Sequence, residues 1–94
     1  MNKAPPDHDD LDHLRKTLRK IDEDLFNLLI QRTAVVQKIG RYKRLNGLPV
    51  LDEAKEQENL LANRAFVKDR LPAAFVDATS AFWAHWARLQ QETE

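Results

Sequence analysis

The feature that most restricts this chain is an apolar series running Leu11, Leu14, Leu18, Ile21, Leu25, Leu28, then Val35, Ile39 and Tyr42. Its steps of three and four, with one gap after Leu28, trace a helical seam close to a heptad. No proline interrupts it, and no glycine appears before Gly40. Asp9 or Asp10 offers an N-cap ahead of Leu11, and Asn46-Gly47 makes a good C-cap pair. The series predicts one helix of roughly 35 residues, about 50 Å long at 1.5 Å per residue. The other half of a 94-residue chain is too short to cover such a helix. A second copy burying the leftover seam is the physical remedy, so a helical homodimer is expected from length alone.

Beyond Gly47, Pro49 breaks the chain and Asp52 is placed to cap a second helix. That helix carries Ala54, Leu60, Leu61, Ala65 and Val67, and it fades around Lys68-Asp69-Arg70. Pro72 suits the first turn of a third helix. The apolar face of that helix reads Phe75, Thr79, Phe82, Trp86 and Leu89, widened by Val76 and Trp83. The expected fold is all-α, with three helices per chain: long, short and medium. Residues 1–10, with Pro5, Pro6 and polar neighbours, read as a flexible tail. Residues 11–94 read as one helical domain.

Fifteen Lys and Arg balance fifteen Asp and Glu, so total charge points to neither nucleic acid nor an acidic membrane. Any cationic site must be local. The absence of cysteine removes disulfides, zinc–thiolate sites and thiol nucleophiles. His8, His13 and His85 lack the spacing of a helical metal pair, and no metal is expected. The N-terminal residues carry no apolar signal region, and no apolar run approaches the ~20 residues that span a bilayer. A soluble, cytoplasmic protein is the expectation.

Some residues break the pattern. Arg32 sits in the gap of the seam, four after Leu28 and three before Val35. A guanidinium there needs an anion, since burying an unpaired cation is costly. That anion is either a carboxylate across the dimer or the carboxylate of a ligand held by the bidentate fork. Arg15 and Lys43 flank the seam, where a solvated cation is the ordinary reading. In an antiparallel pairing of long helices, however, Arg15 of one chain approaches the C-terminal half of its partner. Cations from two chains would then converge. Asp52 and Glu56 share one helical face; a cap and a first-turn acid account for the first of them. Ser80, Ala84, Ala87 and Gln91 step by four, three and four, which leaves room for a ligand or marks a close helix contact.

Taken in order, Leu14-Arg15-Lys16, Ile21-Asp22, Leu28-Leu29, Gln31-Arg32, Ile39-Gly40-Arg41-Tyr42-Lys43, Pro49-Val50-Leu51-Asp52 and Glu56 resemble the all-helical chorismate mutases (type II). The resemblance covers residues 11–91. Its spacing is specific: Arg15, 17 residues to Arg32, 11 to Lys43, 13 to Glu56. It implies an intertwined homodimer in which each site borrows Arg15 from the neighbouring chain. Arg32 would hold a substrate carboxylate, and Lys43 a carboxylate and the ether oxygen. Glu56 would accept from the ring hydroxyl, with Asp52 assisting, and Gln91 would donate to the ether oxygen. The implied enzyme is an isomerase that rearranges chorismate to prephenate in aromatic amino acid biosynthesis, with no cofactor.

Two departures bear on the substrate. Ala87 stands where the family often has Ser, and Lys55 where an Arg is common, keeping charge but losing the fork. The stretch Phe75-Val76 to His85-Trp86 is similar to isochorismate-pyruvate lyases of salicylate and siderophore pathways. Those enzymes generally lack the carboxylate at the position of Glu56, so Glu56 and Lys55 favour a mutase. Aminodeoxychorismate mutases of antibiotic pathways are a further relative, and Glu56 would serve an amine as well as a hydroxyl. A non-enzymatic helical dimer is the remaining alternative.

Overall fold

A computed structural model of the chain describes residues 10–92 and contains three helices. They are α1 (Leu11–Leu45), α2 (Glu53–Val67) and α3 (Ala73–Glu92), long, short and medium as expected. The tail expected over residues 1–10 lies outside the described residues except for Asp10, and so does Asp9 as an alternative cap. Asp10 caps α1: its Oδ1 accepts from the His13 amide at 2.8 Å, and its carbonyl from the Leu14 amide. Among the described residues no helix is long and apolar enough to cross a membrane.

The chain divides into two compact units, with the boundary between Arg32 and Thr33. In the first unit, α1 presents Leu11, Leu14, Leu18, Ile21, Leu25 and Leu28, each between 47 and 59% exposed. Exposed i,i+4 pairs, Arg19–Glu23 and Lys20–Asp24, flank this stripe. The Asp24 carboxylate, hydrogen-bonded to Lys20, raises that ammonium's pKa.

In the second unit, α1 ends in a Schellman turn. The Leu48 amide donates to the Lys43 carbonyl at 2.8 Å, and Gly47 takes a positive φ of 65°. Asp52 caps α2, its Oδ1 accepting from the Lys55 amide at 3.0 Å. After α2 the chain turns through Lys68, whose φ of 57° is left-handed for a non-glycine residue. The Arg70 amide closes this turn on the Val67 carbonyl at 3.2 Å. Pro72 stands one place before α3 rather than inside its first turn. There its carbonyl accepts from Phe75 and Val76, and its own missing N–H costs nothing.

The faces that pack within this unit differ from the apolar stripes of the sequence. On α1 the buried residues are Val36 and Gly40, while Val35, Ile39 and Tyr42 of the seam are exposed. On α2 the half-buried face is Glu56, Leu60, Asn63 and Val67. On α3 it is Val76 and Gln91, with Ser80, Trp83, Ala84, Ala87 and Arg88 half-buried between them. Of the apolar face read from the sequence, Val76 is buried and Trp83 half-buried, while Phe75, Phe82, Trp86 and Leu89 are exposed in the single chain. Polar links tie α2 to α3. Asn63 donates to Ser80 Oγ at 2.9 Å, and Arg64 holds both oxygens of Asp77 at 2.8 Å.

Candidate active site

The centre of the candidate site is the end of α3, drawn against the last turns of α1. Gly40 makes this approach possible: a Cβ there would lie 2.9 Å from the Cα of Gln91. The residue brought in by that contact, Gln91, is only 7% exposed. Its backbone carbonyl accepts from Arg44 Nη1 at 3.1 Å, and Gln37 reaches the neighbouring Gln90 side chain.

Lys43, one helical turn after Gly40, sends its Nζ to Gln91 Oε1 and to the Val50 carbonyl, each at 2.8 Å. An ammonium can only donate, so it fixes the amide with oxygen inward and leaves the Gln91 Nε2 hydrogens as donors. Lys43 keeps one N–H of its three after these two bonds. A cation and an amide donor thus stand side by side, both oriented by contacts within the unit.

Glu56 lies on the first turn of α2, where the helix dipole favours a carboxylate. Its Oε2 accepts from Arg88 Nη1 at 2.5 Å, with both side chains about 30% exposed. Arg88 was not among the residues singled out from the sequence; it follows Ala87 on the helix and has no motif to announce it. Glu56 also lines a cleft of about 220 Å³ between α2 and α3, with Glu53, Gln57, Leu60, Asp77, Ser80 and Ala84 around it. Of the small residues of α3, Ser80 and Ala84 border a cleft, while the close helix contact at Gln91 is made possible by Gly40 of α1. Arg64 donates to Asp77 and so holds its carboxyl below the usual carboxylate range.

A sequence model of the family described as chorismate mutase type II matches residues 14–92. The chain belongs to the chorismate mutase type II family. No curated protein and no solved structure matches it significantly. Of the residues singled out for this chorismate mutase-type chain, Lys43 and Gln91 are in direct contact, and Glu56 of α2 pairs with Arg88 of α3. Asp52 is the cap of α2. Lys55 pairs with Glu58 at 3.3 Å, both exposed, and makes no bond to Glu56 or Gln91. Ala87 is half-buried and contributes no polar atom beyond its backbone. Arg15 and Arg32 are exposed on the α1 segment of the first unit. Among the described residues, no three His, Cys, Asp or Glu gather as metal ligands would.

Proposed function

We propose that this member of the family is a chorismate mutase, rearranging chorismate to prephenate in aromatic amino acid biosynthesis. The observation that carries the reading is the Lys43–Gln91 pair, an ammonium bound to an amide whose N–H groups remain as donors. The reaction is a [3,3]-sigmatropic shift, in which a C–C bond forms as the ether C–O bond breaks. It needs no nucleophile, general base or cofactor. It needs the flexible dicarboxylate held in its compact diaxial shape, and it needs donors where negative charge grows on the ether oxygen. Lys43 and Gln91 supply those donors. Loss of one such donor costs on the order of 3 kcal/mol of barrier. Arg32 and Arg15 hold the substrate carboxylates through their planar forks. Glu56, with Asp52 and Lys55 near the start of α2, receives the ring hydroxyl.

In this proposal the enzyme is a homodimer. The apolar stripe from Leu11 to Leu28 is exposed along its whole length in the single chain, and a second copy would cover it. Arg15 would then serve the neighbouring chain's site.

The test is to incubate the protein in parallel with chorismate, 4-amino-4-deoxychorismate and isochorismate. Prephenate formed fastest from chorismate supports the proposal. Turnover of none of them sinks the enzyme reading, and pyruvate release from isochorismate would make the chain a lyase.

A further inference from the structure

We infer that Arg88 is a specificity-determining residue: by compensating the charge of Glu56 it makes the site select a ring hydroxyl over a ring ammonium. The inference rests on the proposed role of Glu56 as the partner of the substituent at ring position four. Glu56 alone would suit either group, because a carboxylate accepts from a hydroxyl and attracts an ammonium. The attraction is the larger effect. An alkyl amine keeps its proton at neutral pH, as a lysine does, and a full charge beside a half-buried carboxylate outweighs a neutral hydrogen bond.

Arg88 alters that balance. Its Nη1 lies 2.5 Å from Glu56 Oε2, and both groups are half-buried. The pair offers an incoming substrate a hydrogen-bond acceptor, Oε1, with little net charge. A hydroxyl loses nothing by this. An ammonium loses its counter-charge and meets the repulsion of the guanidinium a few ångströms further on. The second half-buried acid of the same cleft, Asp77, is compensated in the same way by Arg64, which grips both of its oxygens. The remaining acid there, Glu53, is exposed and screened by solvent. The half-buried acids of the cleft thus have their charges already matched, which makes an environment for a neutral polar group.

The test compares kcat/KM for chorismate and for 4-amino-4-deoxychorismate in the wild type, Arg88→Met, Arg88→Lys and Glu56→Gln. The wild type is expected to prefer chorismate. Arg88→Met, with helical content checked by circular dichroism, should move the ratio toward the amine by at least about tenfold. Arg88→Lys restores a cation and should keep the ratio within about threefold of the wild type. Glu56→Gln leaves Arg88 without its anion and should move the ratio further toward chorismate, which tests the idea even if Arg88→Met does not fold. An unchanged ratio in folded Arg88→Met, or in Glu56→Gln, overturns the inference while chorismate turnover by the wild type leaves the proposed function standing. A wild type that prefers the amine overturns it too. A wild type inactive on both substrates defeats the proposed function itself and takes this inference with it.

Discussion

Gly40 and Gln91 touch so closely that there is no room for a side chain between them: a Cβ on Gly40 would stand 2.9 Å from the Cα of Gln91. The obstacle is backbone, so no change of rotamer relieves it. Gly40→Ala gains up to ~1 kcal/mol of helix propensity, but the end of α3 must move away. Overpacking of this kind costs about 1–3 kcal/mol, so the variant should be net destabilised in urea unfolding. Its kcat should fall more than tenfold, because Gln91 is displaced from Lys43. A Gly40→Ala protein with unchanged stability and rate would show that α3 approaches α1 less closely than described.

Gln91 serves the proposed chemistry as a neutral donor, and its orientation is imposed by Lys43. Replacing it with glutamate puts a carboxylate 2.8 Å from an ammonium, which favours the ionised, acceptor-only form. Gln91→Glu should therefore be nearly inactive at pH 7. It should regain rate only as the pH falls below the ordinary carboxylate value, about 4, where the protonated acid can donate. The wild-type profile should lack this acid-side rise. Identical pH–rate profiles for the two proteins would remove Gln91 from the reacting centre.

The turn after α2 holds a local stabilising opportunity. Lys68, with φ 57° and ψ −125°, sits at the first central position of a type II′ turn, where glycine is the favoured residue. Lys68→Gly should raise stability by about 1 kcal/mol, seen as a higher denaturation midpoint with an unchanged m-value. A lower midpoint would mean that the lysine stem contributes packing that outweighs the strain.

Asp77 links α3 to α2 through Arg64, and that hydrogen bond depresses its carboxyl pKa. A group whose folded-state pKa is lowered stabilises the fold above its unfolded pKa, near 3.9 for Asp, and loses this as the pH falls through the folded value. Asp77→Asn should thus be less stable than the wild type at pH 6, with the gap closing below about pH 4. Arg64 is exposed and Asp77 only half-buried, so the gap stays close to that of a surface pair. A gap that persists unchanged at pH 2–3 would assign it to the amide's poorer fit rather than to charge.

The three helices and their caps were legible in the sequence because Asp10, Gly47, Asp52 and Pro72 each act locally. The packing within the chain was not. The face of α2 that meets α3 is Glu56, Leu60, Asn63 and Val67, half of it polar, and the face of α1 that meets α3 centres on a glycine. Hydrophobic periodicity picks out Leu60 and Val67 but neither their polar neighbours nor the glycine. What it detected instead were the stripes through Leu18 and Ile39 and through Phe75 and Phe82, all exposed in the single chain. Lys43, Glu56 and Gln91 were singled out only through the resemblance to the family. Arg88 was missed because an arginine on a charged helix carries no signal until its partner, 32 residues away in sequence, is placed beside it.

Those exposed stripes bear directly on the proposed dimer, and complementation tests it without relying on the stability of any one variant. If each site takes Arg15 from one chain and Lys43 from the other, Arg15→Ala and Lys43→Ala should each be inactive alone. Mixed and allowed to exchange, equal amounts give heterodimers as about half of all dimers. In a heterodimer one site lacks both residues and the other is intact, so activity should recover to about a quarter of the wild-type value. If Arg15 serves its own chain, every site in the mixture lacks one of the two residues and nothing is recovered. Sedimentation of each variant as a dimer makes a null result informative, because exchange between folded dimers is then the remaining step, and brief co-refolding supplies it. Failure after co-refolding would confine Arg15 to its own subunit or remove it from the site.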